Sequence, residues 1–211
     1  MIGRPGEVTI RSVSSEEWET TSPEWRSRQV ESVTYRMAIG VDLSYTEGSG
    51  DFAAIIPVAD YAGKYWVRHV YRFRRDILNA RPMLVRAQRD YPGAPMCSYI
   101  SGPEVGVLQL LGQEHIDAKG VKWPPVMVAG MRAIGDIVLR AQRTGELWSQ
   151  GGIIVPPGRP WTQDFVDELK GFTGSGSRKD QLSALISAVD YLEAGRAMGT
   201  TETGSYRRTR V

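Results

Sequence analysis

Residues 36–60, RMAIGVDLSYTEGSGDFAAIIPVAD, place the tightest constraint on how this chain folds. The first apolar run, MAIGV, shows no polar residue at every second position, so that strand cannot leave one face to water, and FAAIIPVA reads as a second strand reached through a glycine-containing loop. The first strand is expected in the middle of a sheet that is covered on both sides. The first run ends in Asp42, and the loop TEGSGD brings a second acid, Asp51, immediately before the next run. A carboxylate at the end of a central strand is costly unless it is paired or holds a cation. An aspartate there can also simply open a turn. For Asp42 taken alone both readings stand.

The stretch KYWVRHVYRFRR, residues 64–75, alternates, with Tyr65, Val67, His69, Tyr71 and Phe73 on one side and mostly basic residues on the other. It predicts a half-buried third strand that completes an antiparallel meander, with His69 packed and not a metal ligand. The period then lengthens. ARPMLVRAQRDYP reads as a helix that stops at Tyr91-Pro92-Gly93, MCSYIS as a fourth strand and EVGVLQLLGQE as a helix close behind it. PPVMVAGMRAIGDIVLRAQRTGELW reads as one long helix opened by proline, GGIIVP as a short fifth strand and DFVDELKGF as a helix. The last helix, in RKDQLSALISAVDYLEAG, is expected to be amphipathic, with Leu182, Leu185, Ile186, Val189 and Leu192 on its apolar side. The order predicts an α/β domain built on a mixed sheet.

Several functional classes are excluded. With 211 residues the chain can bury one substantial core. No apolar stretch is long enough to span a membrane, and the polar start MIGRPGEVTIRSVSSEEWE is no secretory signal. The one cysteine, Cys97, rules out an internal disulfide and a cysteine-based zinc site, and it reads as a buried bystander in a reducing compartment. No G-x-x-x-x-G-K-[ST] phosphate loop occurs. The formal charge of +2 says little, but residues 64–75 hold five Lys/Arg and no acid, and GSYRRTRV adds three arginines. Such patches can meet phosphates, or can be a solvated strand face and a basic tail.

The chemistry rests on Asp42 together with Asp180, which opens the last helix after a Gly/Ser loop. An acid at a helix start also caps amides and suits the helix dipole. A strand-end acid early in the chain and a helix-start acid late in it can nonetheless converge. Hard cations such as Mg²⁺ bind through one or two carboxylates plus phosphate oxygens.

MAIGVDLS with an acid before FAAIIPV, MRAIGDIVLRAQRTGELW, DFVDELKGF and RKDQLSAL, in that order over residues 36–193, resemble the motifs of the ribonuclease H-like nuclease domain of tailed-bacteriophage large terminases. The resemblance implies a ribonuclease H-like mixed central sheet, an antiparallel three-strand meander plus parallel strands, flanked by helices. It implies a metal-dependent endonuclease that cuts concatemeric double-stranded DNA during genome packaging, with two Mg²⁺ or Mn²⁺ ions activating water. Asp42 matches the first catalytic acid and Asp180 the last, and Asp51 matches an acid that could support the metal site. The slot of the middle acid falls on Ser101; Glu104, three residues on, is the nearest substitute or else a helix-entrance acid. The closing motif departs from the pattern at Lys179 and Ser183, which stand where the family carries aspartates. Arg72, Arg74, Arg178 and Lys179 are the candidate phosphate contacts, while Asp60, Asp76 and Asp190 read as surface residues.

The expected organisation is a polar arm or linker over 1–35, the nuclease domain over 36–195 and a basic tail over 196–211. The family carries an ATPase ahead of the nuclease, so the resemblance implies an excised domain or a separately made one. Its implied partners are a packaging ATPase, a small terminase or a portal protein, in the host cytoplasm and with no membrane. Two alternatives share the fold: a non-catalytic DNA-binding or motor-docking module, and a Holliday-junction resolvase-like nuclease.

Overall fold

The computed structural model describes residues 18, 21–23, 35–43, 52–74, 79–100, 104–174 and 179–197. The two apolar runs become β1 (Arg36–Asp42) and β2 (Ala53–Tyr61), antiparallel neighbours with Asp42 opposite Ala54. Both are buried almost end to end, as runs apolar on both faces require. A two-residue turn at Ala62 and Gly63, both at positive φ, leads into β3 (Lys64–Val67), which completes the meander.

The third strand is not continuous, which corrects the reading of residues 64–75 as one alternating strand. β3 ends at Val67 opposite Val58, and β4 (Tyr71–Phe73) resumes with Tyr71 opposite Ile55. Three residues, Arg68–Val70, therefore face only Ile56 and Pro57. Pro57 has no N–H to give the ladder, and its carbonyl accepts the Arg68 N–H at 2.9 Å. The extra residue reverses the faces. Tyr65 and Val67 pack into one core layer, whereas Tyr71 and Phe73 pack into the other. Arg72 consequently shares a face with Ala54 and not with solvent.

Parallel strands extend the sheet. β5 (Met96–Ile100) lies beside β1, β8 (Val128–Arg132) beside β5, and β9 (Ile153–Ile154) beside β3. The seven-stranded order is β8-β5-β1-β2-β3-β9, with β4 also on β2. A small hairpin, β6 (His115–Ile116) with β7 (Lys122–Trp123), stands apart. The helices among the described residues are α1 (Arg81–Asp90), α2 (Glu104–Leu111), α3 (Ile137–Ser149), α4 (Thr162–Lys170) and α5 (Asp180–Ala197). α1 and α2 cover the Ile39–Val41 face; α3, α4 and α5 share the core on the Ala38 face.

The long helix expected over 124–148 is two elements. Val128–Arg132 forms β8 along the free edge of β5, and the helix begins only after Asp136, whose side chain accepts the Leu139 N–H at 2.9 Å. α5 is less amphipathic than expected: besides the predicted stripe it buries Gln181, Ala184, Ser187 and Ala188, because α3 and α4 flank it on the sheet. Asp60 is also corrected. It is buried between Arg36 and Arg196 and ion-paired with both. Asp190 accepts a hydrogen bond from Tyr99 Oη and is only partly exposed. Asp76 lies outside the described residues. Trp18, from the polar arm, is buried edge-on against Trp66, with ring centroids 5.3 Å apart. Among the described residues no helix is long and apolar enough to cross a membrane.

Candidate active site

Backbone packing explains why Asp42 and Asp180 meet. A Cβ on Gly40 would fall 1.8 Å from the Ala184 carbonyl oxygen, so β1 and α5 touch main chain to main chain there. Asp42 lies two residues further along β1 and so points to the same face as Gly40. Asp180 lies one turn before Ala184 on α5. Moving from this contact towards the end of the strand and the start of the helix brings the two carboxylates together.

The electrostatics reflect that convergence. Burial, and next the negative charge of Asp180, push the Asp42 pKa up to about 7; Glu168 adds a smaller push in the same direction. The Ser183 hydroxyl, which donates to Asp42, and the charge of Lys179 oppose the rise. Thus the two residues that depart from the resembled closing motif, Lys179 and Ser183, both act on Asp42. Asp180 Oδ2 accepts the Phe52 N–H at 3.3 Å, which ties the start of α5 to the start of β2.

Sequence pattern does not single out Glu168 beside these acids, because DFVDELKGF reads only as a helix that carries a motif. It lies on α4 with Phe165 and Val166, the other buried residues of that helix, and is itself 8 % exposed. An acid three residues from Phe165, on the buried face, is a signal the sequence carries. Glu168 Oε1 accepts the Gln181 N–H at 2.7 Å and Oε2 accepts from Gln181 Nε2 at 2.6 Å.

The basic candidates separate. The Arg72 side chain, 17 % exposed, faces Glu168 at 3.8 Å and Asp164 at 3.9 Å, and its guanidinium lies 3.7 Å from the Phe52 ring centroid. Arg74 is exposed and stacks over the same ring at 4.4 Å. Lys179 is exposed beside Asp180, and its carbonyl accepts the Ser183 N–H at 2.7 Å. A cavity of about 380 Å³ lined by Arg72, Asp164, Asp167, Glu168 and Gly171 opens next to this group. Arg178, Asp51 and Ser101 lie outside the described residues, as does the side chain of Glu104. His69 packs edge-on against Tyr71 and Trp161, and Cys97 is buried, its thiol donating to the Ile39 and Ser187 carbonyls.

Two carboxylates held close enough to repel, at the rim of the sheet, are a donor pair that suits a hard divalent cation with water or phosphate oxygens completing its shell. Among the described residues no group of three or more His, Cys, Asp or Glu side chains is placed to hold one metal ion. Asp42 and Asp180 are a pair, and the other acids named from the sequence, Asp51 and the side chain of Glu104, lie outside the described residues.

Comparisons with solved structures agree with this architecture. The large terminase nuclease of thermophilic phage G20c with bound zinc superposes with a TM-score of 0.54 at 18 % identity, covering 74 % of this chain and 81 % of that one. Further structures of the same nuclease hold magnesium or cobalt. The large terminase of another thermophilic bacteriophage matches with a TM-score of 0.53 at 12 % identity, over 74 % of this chain and 41 % of its own. The human cytomegalovirus terminase nuclease domain matches with a TM-score of 0.51 at 10 % identity, over 86 % and 90 %. The chain thus has the mixed-sheet, ribonuclease H-like fold of terminase nuclease domains. No protein-family model matches the sequence, and no curated protein is similar enough in sequence to count as a relative.

Proposed function

We propose that this protein is a metal-dependent endonuclease acting on double-stranded DNA in phage genome packaging, with the chemistry centred on Asp42 and Asp180. The observation that carries the proposal is the pairing of these acids at the end of β1 and the start of α5, on a fold shared with terminase nucleases that bind divalent metals. Asp42 and Asp180 would hold Mg²⁺ or Mn²⁺, and Glu104 and Asp51 are the candidates to complete the set for two ions. When bound, such ions supply Lewis-acid stabilisation and lower the pKa of water, as phosphodiester hydrolysis requires.

The residues of the chain have separate tasks. Asp42 must lose its proton before it can bind a cation, and the Ser183 hydroxyl and the Lys179 charge favour that ionised form. Arg74 and Lys179, both exposed, would hold DNA phosphates and so position the duplex without reading its bases. Arg72 is turned towards Glu168, which leaves it a smaller share in DNA contact.

A supercoiled plasmid incubated with wild-type protein and Mn²⁺ is expected to be nicked and linearised, and EDTA should stop the reaction. Asp42→Asn and Asp180→Asn should still shift the plasmid on a gel without cutting it. Cleavage by Asp42→Asn at the wild-type rate would refute the assignment. DNA binding by the wild type with no metal-dependent cutting would instead identify a non-catalytic module of the same fold.

A further inference from the structure

The described residue that precedes α5, Lys179, has no side-chain acceptor with which to finish the helix. Lys179 occupies the capping position: its carbonyl accepts the first helical bond, from Ser183 N, but its ammonium cannot accept a bond from the free amides that follow. The acceptor comes instead from another helix. Glu168 of α4 takes the backbone N–H of Gln181 at 2.7 Å and its side-chain amide at 2.6 Å, and Gln181 is 1 % exposed. Both carboxylate oxygens are thereby engaged, and the negative charge sits at the positive end of the helix dipole. Beside Glu168 lies Arg72, whose guanidinium packs on Phe52; the Phe52 N–H in turn donates to Asp180. The contacts close a ring: Asp180, Phe52, Arg72, Glu168, Gln181, and back to Asp180 through the chain.

We propose that Glu168 is a positioning residue that fixes the first turn of α5 through Gln181 and so aims Asp180 at Asp42. This inference rests on the nuclease reading for its purpose, but not for its geometry. Glu168 is assigned a positioning role because each of its oxygens accepts a hydrogen bond from Gln181. Arg72 Nη2 lies 3.8 Å from the same Oε2 that Gln181 Nε2 reaches, a charge contact that helps to hold the carboxylate in place. Partners of this kind behind a metal ligand change metal affinity or activity by about 10–100-fold when removed.

The test compares Glu168→Ala with Glu168→Gln by two measurements: Mn²⁺ binding by calorimetry, and amide hydrogen exchange of the α5 first turn by NMR. Glu168→Ala should weaken Mn²⁺ binding about tenfold or more and lose protection of the Gln181 amide, with the far-ultraviolet spectrum unchanged. Glu168→Gln keeps an oxygen for the Gln181 N–H, and should recover both protection and binding to within about threefold of the wild type. Wild-type binding and protection in Glu168→Ala would overturn the proposal. Equal damage from both substitutions would also overturn it, because charge and not the hydrogen bond would then be the cause. Should the wild type take up no Mn²⁺, the nuclease reading fails, while the Gln181 amide still decides whether Glu168 positions the helix.

Discussion

The same strand and helix meet twice, and the two meetings are opposite in charge. At the start of β1 and the end of α5, one buried acid, Asp60, lies between two arginines, Arg36 and Arg196. At the end of β1 and the start of α5, Asp42 faces Asp180 with Glu168 nearby, and among the described residues the cation that acts on Asp42 is the exposed Lys179. At the first end the charge of the acid is compensated within the protein, and the cluster serves to fasten the helix. The second end concentrates negative charge and raises the proton affinity of Asp42. Folding tolerates that cost where a group from outside can relieve it, which is the electrostatic difference between a fastening and a site.

Substitutions can break this contrast. The largest effect is expected at the repulsive end: Asp42→Asn should lower plasmid cleavage by at least about 1000-fold, or ~4 kcal/mol of transition-state stabilisation, with DNA binding retained. Between the ends, Gly40→Ala should cost about 3 kcal/mol in urea unfolding, because its Cβ meets backbone at Ala184 that cannot give way without moving α5. At the paired end, Asp60→Ala should destabilise by about 2 kcal/mol and leave cleavage by the folded fraction intact. That figure is at the low end for a broken buried pair because Arg196, 43 % exposed, can turn to water.

The smallest effect sharpens the comparison through pH. An acid whose pKa rises to about 7 on folding holds a proton that the unfolded chain has already lost between about pH 4 and pH 7. More protons bound in the folded state mean that stability falls as pH rises across this window and levels off above it. In EDTA the wild type should lose ~1–2 kcal/mol between pH 4 and pH 7 relative to Asp42→Asn, a value reduced by solvent screening of a partly exposed group. Mn²⁺ should cancel the loss near neutral pH. Equal slopes for the two proteins in thermal unfolding would show that Asp42 does not carry the strain.

Much of the fold was legible because one-dimensional patterns carried it. Apolar runs marked β1 and β2, and turn residues bounded α1. What failed depended on partners distant in sequence. Residues 128–132 show no strand alternation, and only the open edge of β5 makes them β8; the capping aspartate at 136 was the local sign that the helix begins later. The bulge opposite Pro57 turned Arg72 inward, although alternation alone placed it outside. Asp60 looked like a surface acid since neither Arg36 nor Arg196 is its neighbour in the chain.

By itself the sequence determined that a doubly apolar strand would sit in a covered sheet with a second apolar strand following it, and that acids would stand at the end of that first strand and the start of the last helix. It did so because burial and capping act over a few residues and leave periodic traces. Only the tertiary structure decided which charges would face one another. That choice is made by long-range register, through the Gly40–Ala184 contact, the Pro57 bulge and the clasp of Glu168 on Gln181, and electrostatic energy depends on those distances and not on order along the chain.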